Sequence, residues 1–492
     1  MSDLSDLLST GTEVPSHAPW PRALVGTRAW EEAGRLLAAG KLTLLGLWGE
    51  AGFAHMAVLG GPAPAEVAVL SVACRDGAYP SIGRLHAPAI RLERAARDLF
   101  RLAPVGLPDT RRWLVHGAAT EPYEFLPVEG EDLHQIPVGP VHAGVIEPGH
   151  FRFTCDGETV VRLEARLGYT HKGVEALLAG ADFAQASRIA GRISGDSTVA
   201  YAWAFACAVE AAAGVTVPAR AVLLRGLMAE LERLANHLGD VGGICNDAAF
   251  AIMLVHCGLL RERVLRTNAA CFGHRLAMDC VVPGGVAVDL SPEGAAAVRA
   301  LLAELDKRFP PLVALYDTTT SLQDRTVGTG HVDKALARQW GAGGPVGRAS
   351  GRSFDVRRDL AYPPYDRLTF TVPVLEAGDV DARVWLRIKE IEQSRALIAQ
   401  ILRELQPGEI RLPDDALAVA TGREGMALVE AFRGDVLAWL RVGDDGTIAR
   451  CHFRDASWFQ WPLLEAAIEG NIVADFPLCN KSFNCSYSGH DL

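Results

Sequence analysis

The chain has 492 residues, room for about two to four domains, and its 49% hydrophobic and 22% charged residues are ordinary globular composition. A formal net charge of −11 with no offsetting basic block excludes nucleic acid as the expected partner. The N-terminus, MSDLSDLLSTGTEVPSHAPW, has no apolar core and does not read as a signal peptide, and the ten cysteines include no Cys-x-x-Cys pair, as expected for free thiols in the cytoplasm.

Three apolar runs lie between Lys41 and Ala73: LTLLGLW, FAHMAVL and EVAVLSVA. Gly and Pro separate them, which predicts short strands of a small sheet. Leu92, Ala95, Ala96, Leu99 and Phe100 then recur at helical spacing until Pro104 ends the pattern. The stretch from Leu92 to Leu114 resembles the signature of the 30-kDa subunit of complex I. Glu93, Arg94, Asp98, Phe100, Pro108, Asp109, Arg111 and Arg112 carry the match, and Ala95 and Arg101 depart from it. A Pro-, Glu- and Gly-rich stretch near 117–132 reads as a linker between two domains, 1–120 and 121–492.

Beyond it, IPVGPVHAGVIEPGHFRF predicts tight turns between short strands, with His142 and His150 flanking the hairpin. The motif GPVHAG resembles the quinone-cavity loop of the 49-kDa subunit of complex I and the same loop of group 4 hydrogenases. The resemblance makes His142 a ligand to a quinone headgroup, while Ile146 stands where the quinone-type motif has a second His. Lys172-Gly173-Val174-Glu175 resembles the Arg-Gly-x-Glu motif of hydrogenase large subunits, with Lys for Arg. There the Glu relays protons, a task that needs a carboxyl lifted toward neutrality. On spacing alone Glu175 is a helix-start carboxylate favoured by the macrodipole.

Arg192-Ile193-Ser194-Gly195-Asp196-Ser197 reads locally as a polar turn opening a helix. It also resembles the first metal motif of [NiFe]-hydrogenase large subunits, Arg-x-Cys-Gly-x-Cys, with Ser194 and Ser197 at both cysteine positions. A serine hydroxyl cannot replace a soft thiolate as a nickel ligand. The frame of a metal cavity is therefore expected without half its ligands. The Ala-rich run from Val199 to Val217 approaches the length of a membrane span, but Glu210 interrupts it, so a buried helix is predicted. Leu223, Leu227, Leu231, Leu234 and Leu238 mark a long amphipathic helix. Glu230, Arg233 and His237 share its polar face, and Arg233 favours an ion-paired network over a metal site. GAGGPVGRASG lacks the Lys-Ser/Thr of a phosphate-binding loop and reads as a Gly-rich connection. A further long helix follows Gly378, with Asp381 and Arg383 matching the family's start of that helix.

Near the C-terminus, VLAWLRV, a Gly443–Gly446 turn and TIARCHFR predict a hairpin, followed by a helix around Trp461 to Glu469. The tail resembles the region where hydrogenases carry Asp-Pro-Cys-x-x-Cys. Here Cys479 and Cys485 are six apart, with His490 beyond, and are weak metal candidates because structural zinc wants four ligands.

The expected fold class is α+β: a small N-terminal α/β domain of the 30-kDa type, then a mainly helical domain of the 49-kDa or hydrogenase large-subunit type with small sheets. The resemblance to group 4 hydrogenases of the formate hydrogenlyase or hydrogenase-4 type implies an electron-transfer subunit of a membrane-associated, NADH:quinone oxidoreductase-related complex. Glu175 and Asp196 are its candidate proton carriers, and His142, Ser194 and Ser197 line its vacated metal cavity. It implies no cofactor bound by this chain alone, no nickel, a quinone as acceptor and a [4Fe-4S] cluster on a small partner subunit of the 20-kDa type docked near residues 139–200. Antiporter-like and anchor subunits would hold it on the cytoplasmic face of the inner membrane. The alternatives are a functional [NiFe]-hydrogenase, which needs four thiolates, and a scaffold subunit without redox chemistry.

Overall fold

The computed structural model describes residues 3–61, 65–114, 123–142 and 146–492. The N-terminal apolar runs form β2 (Leu42–Glu50), β3 (Phe53–Gly60) and β4 (Glu66–Ala73), preceded by β1 (Arg22–Val25). The sheet order is β1-β4-β3-β2, with Thr12–Glu13 outside β1. β1 and β4 run parallel, and β2, β3 and β4 are antiparallel neighbours. β2 and β4 are buried along nearly their whole length because both faces of the sheet are covered. Helix Thr27–Ala38 and α1 (Ile90–Phe100) pack on one face with Leu44, Leu47, Met56 and Leu70. Trp48, Ala57 and Val69 face the other way, toward the C-terminal sheet.

α1 buries Leu92, Ala95 and Ala96 as its spacing predicts, whereas Leu99 is 37% exposed. The motif residues of this stretch tie the helix to its neighbours. Glu93 accepts from Ser81 Oγ at 2.6 Å and from the Ile82 and Gly83 amides at 2.8 and 3.0 Å. Asp98 accepts from the Trp113 and Leu114 amides, and Arg94 pairs with Asp109 at 2.8 Å. The expected division at 120/121, part of the linker and Gly144 of the hairpin lie outside the described residues.

β5 (Leu133–Val138), β6 (His150–Asp156) and β7 (Thr159–Arg166) form an antiparallel sheet, so residues 139–149 are a connection between hydrogen-bonded strands. The Ala-rich run forms α2 (Thr198–Ala213), buried on all sides. Among the described residues no helix is long and apolar enough to cross a membrane. The charge inside α2, Glu210, receives two bonds from Arg225, at 2.5 and 3.0 Å. Small side chains let β8 (Glu424–Ala431) lie directly on this helix. A Cβ at Gly425 would stand 1.8 Å from the Ala208 carbonyl oxygen, so only glycine fits there.

α3 (Ala219–Asp247), α4 (Ala251–Phe272), α5 (Pro292–Thr318) and α6 (Val380–Glu404) make the helical body. The five predicted leucines of α3 are all buried. Glu230, Arg233 and His237 enter an ion-paired network, as predicted. His237 Nε2 lies 2.7 Å from Glu390, Arg357 pairs with Glu230 at 3.0 Å, and Arg348 reaches Glu390 at 2.6 Å and Glu430 at 2.7 Å. Arg348 lies on a short helix, Gly344–Ala349, where the sequence suggested only a loop. The charge network, not local propensity, fixes that turn. The predicted hairpin is β9 (Gly434–Val442) and β10 (Ile448–Arg454); with β8 it builds a sheet extended by His17–Ala18. This sheet meets the N-terminal one through Trp48 and Trp439, whose rings are 5.5 Å apart. α7 (Ser457–Ala467) and the C-terminal tail close the chain.

Arg348→Met leaves Glu390 and Glu430 buried without their shared cation. The expected cost is roughly 3–5 kcal/mol, read as a lowered urea midpoint. An unchanged midpoint would contradict this account of the helical body.

Candidate functional site

Ser194 is extended, and Gly195–Ser197 form a 3-10 turn that leads directly into α2. Asp196, half-buried on this turn, is held in a clasp. Arg433, in the turn between β8 and β9, grips both its oxygens, Nη1 to Oδ1 at 2.8 Å and Nη2 to Oδ2 at 2.6 Å. Nη1 also donates to Ser197 Oγ at 3.1 Å, and Nε donates to the Asn484 carbonyl at 2.5 Å. Ser194 Oγ donates to Asp196 Oδ1 at 2.8 Å, and Asn236 of α3 donates to the Asp196 carbonyl. Burial pushes the Asp196 carboxyl up, but Arg433 outweighs it, with Ser194 and Lys481 adding to the effect, and holds it at about 2.

Ser486 is the tail residue that meets this turn. Its hydroxyl lies 3.1 Å from that of Ser194, and it accepts from the Gly489 amide at 2.9 Å. Ser486 and Gly489 have the Cys-x-x-Cys spacing that Cys479 and Cys485 lack. A Cβ at Gly489 would stand 2.8 Å from both Asp455 Oδ2 and Tyr201 Oη, so no larger residue fits at that position. The same serine substitution seen at Ser194 was the available signal for Ser486. Arg433 lies far away in sequence and carries no local signal. Cys485 Sγ points to Gln460 Oε1 at 3.9 Å, and Cys479 packs beside Gly330. Burial pushes the Cys479 thiol up to about 11 and the Cys485 thiol higher still.

This donor set does not fit a nickel–iron centre. Three hydroxyls converge where soft thiolates are needed, and a guanidinium is bonded among them. Among the described residues no group of three or more His, Cys, Asp or Glu side chains is placed to hold a metal ion.

Glu175 belongs to a separate cluster. It pairs with Arg450 at 2.8 Å and His452 Nδ1 at 2.6 Å. Burial raises its carboxyl, but Arg450 and then His452 outweigh this and hold it at about 2. It is ionised near neutrality and carries no proton there while those partners stay in place. His142 donates Nε2–H to the Gly149 carbonyl at 2.8 Å, leaving Nδ1 for a ligand. Its ring lies 5.8 Å from that of Phe151, and Phe151 lies 6.5 Å from Tyr487 of the tail. The Ser488 amide donates to Glu147 at 3.2 Å. The structure thus joins the His142 connection to the Ser486 tail and brings Ser194, Asp196 and Ser197 together, while Glu175 stands in its own ion-paired group.

The depressed Asp196 carboxyl sets a sign for acid stability. Its unfolded value is about 3.9. Its contribution is therefore complete above that value and is lost as pH falls from about 4 toward about 2. Asp196→Asn should leave the buried Arg433 without its carboxylate; because Asp196 is itself 35% exposed, the loss of stability at neutral pH should be roughly 1–2 kcal/mol, and the loss of urea midpoint on acidification should flatten. An acid limb as steep as that of the parent protein would contradict the assignment.

Comparison with known proteins agrees with this architecture. Residues 172–239 match the nickel-dependent hydrogenase family, and residues 247–427 match the respiratory-chain NADH dehydrogenase 49 Kd subunit family. Formate hydrogenlyase subunit 5 of Escherichia coli is 31% identical over 84% of this chain and 77% of its own. The carbon monoxide-induced hydrogenase of Rhodospirillum rubrum is 32% identical over 71% of this chain and 97% of its own. An NADH-quinone oxidoreductase subunit of Dehalococcoides mccartyi is 33% identical over 63% of this chain and 84% of its own. A chain in the structure of the membrane-bound sulfane sulfur reductase, an archaeal respiratory membrane complex, superposes with a TM-score of 0.69 at 28% identity, covering 75% of this chain and all of that one. The α+β body, the hydrogenase-type turn at Arg192–Ser197 and these relatives together place the chain in the group 4 [NiFe]-hydrogenase large-subunit family, akin to the 49-kDa subunit of complex I.

Proposed function

We propose that this chain is the electron-transfer subunit of a membrane-associated, complex I-like oxidoreductase that works without nickel. The observation that carries the reading is the hydroxyl pair Ser194–Ser486 at 3.1 Å, clasped by Arg433 and Asp196. A cluster of hydroxyls and an ion pair suits a polar organic acceptor better than a soft metal. Electrons arrive from a [4Fe-4S] cluster on a small partner docked near residues 139–200, since the ten cysteines are free and scattered and a cluster needs about four thiolates together.

The acceptor in this reading is a quinone, held at the His142 connection. His142 gives Nε2–H to Gly149, which leaves Nδ1 as the ring atom for the quinone oxygen. Asp196 and Glu175 stay charged and position the residues around them. The N-terminal unit, residues 1–120, serves as the 30-kDa-like domain. Antiporter-like and anchor subunits hold the assembly at the cytoplasmic face of the membrane, a placement supported by membrane complexes among the relatives.

Elemental analysis of the purified complex decides the metal question, with no stoichiometric nickel expected. About one nickel per chain would refute the proposed function. His142→Ala should cut quinone reduction by the assembled complex roughly tenfold, the loss of one hydrogen bond. The fold should change by no more than about 1 kcal/mol, since the side chain supports a surface connection. Unchanged turnover in a complex shown to reduce quinone would reject His142 as the ligand.

A further inference from the structure

Glu232 of α3 is a buried carboxyl that no part of the preceding account uses. It accepts from the first amides of α2, Val199 N to Oε2 at 2.8 Å and Ala200 N to Oε1 at 3.2 Å. Among the described residues no arginine or lysine is ion-paired to it, unlike Asp196 and Glu175. It lines a cavity of ≈ 10 Å³, about the room one water centre needs. Asn236, Arg261 and Asn268 supply the other polar walls, and Leu265 and Leu276 the apolar ones. Asn268 is 3% exposed, and its Oδ1 is buried with no hydrogen-bond partner. A buried acceptor without a partner, on a residue that lines a water-sized polar hole, is what a bound water would satisfy. Asn236 and Arg261 are only half-buried, so the hole lies next to the surface.

We propose that this cavity holds a water through which Glu232 exchanges a proton with solvent, making Glu232 the proton-carrying carboxyl beside the Ser194–Asp196 turn. The inference rests on the proposed function for the acceptor's position. Asn236 joins the two places, donating to the Asp196 carbonyl at 2.8 Å and to the Glu232 carbonyl at 2.9 Å. The charged groups around Glu232 are Asp196 from the turn, Arg233 from its own helix and Arg261 from α4. Burial pushes its carboxyl up, the two amides pull it down, Asp196 raises it and Arg233 lowers it, with the balance at about 8. When an electron from the partner's iron–sulfur cluster reaches the acceptor, the added negative charge favours the neutral acid. Around and above that midpoint, where the carboxylate is present, it then takes one proton from the water, which is resupplied from solvent. Oxidation of the acceptor reverses both steps, so charge and protons balance.

Infrared difference titration of the purified complex reads this carboxyl directly. The parent protein should show a protonated-carboxyl band that disappears with a midpoint on the alkaline side of neutrality, and Glu232→Gln should lack it. Asn268→Leu keeps the carboxyl and removes a polar wall of the cavity. It should fold even if Glu232→Gln does not, and should move the midpoint upward. A parent spectrum without such a band, or a band unchanged in both variants, overturns the inference whatever the turnover. A band lost in Glu232→Gln together with an unchanged pH profile of turnover upholds the proton site and counts against placing the acceptor beside Asp196.

Discussion

The arrangement around the candidate site depends on one ion pair, the buried Arg433 with the half-buried Asp196. The guanidinium leaves water here, and attraction to a single carboxylate alone does not guarantee a gain. What makes the pair tenable is that both its members are satisfied. Arg433 spends its donors on both Asp196 oxygens, Ser197 Oγ and the Asn484 carbonyl, while Asp196 also accepts from Ser194. Three segments distant in sequence are thereby fixed against one another: the turn before α2, the β8–β9 turn and the tail. Removing Asp196 would leave the Arg433 guanidinium buried without its carboxylate, which is the costlier of the two losses.

The same device recurs through the helical body. Arg225, Arg233, Arg348, Arg357, Arg383 and Arg387 are among the largest fully buried side chains. Arginine suits this role because its planar fork meets carboxylates and carbonyls with several donors at once. Arg387 bridges to Asp240 at 3.0 Å, and Asp240 receives Asn484 of the tail at 2.8 Å. The charge network of α3 and α6 therefore runs up to the tail that carries Ser486. Loss of packing in the helical body would be felt at the site without any change to the site residues.

Much of this was legible along the chain. The strands from Lys41 to Ala73, the leucine stripe of α3, the Ala-rich α2 and the Gly443–Gly446 hairpin each follow from local periodicity and turn chemistry. The Ser194–Ser197 turn was legible because its register matches a metal motif. What was not legible depends on distance. Arg433 meets Asp196 across 237 residues, and Ser486 meets Ser194 across 292. No window of sequence contains such a contact. The tail misled for a related reason: cysteine invites a metal reading, yet the position that converges with Ser194 carries a serine, one residue beyond Cys485. Leu99 fits an apolar stripe and still reaches solvent, since spacing specifies a face and not how far it is covered.

Three carboxyls show how environment, rather than residue type, assigns roles. Asp196 and Glu175 differ in length and lie in different clusters, yet each is gripped by an arginine and held at about 2. Such groups are fixed charges at physiological pH, able to orient neighbours but not to take up protons. Glu232 receives only backbone amides, and burial lifts it to about 8. Two amide dipoles compensate a buried charge less completely than a whole guanidinium does, so the carboxyl keeps both protonation states within reach. The hydrogenase-type motif directs attention to Glu175 because of its sequence context. In this structure Arg450 and His452 pair with Glu175 and favour its charged form, whereas Glu232 of α3 meets the first amides of α2.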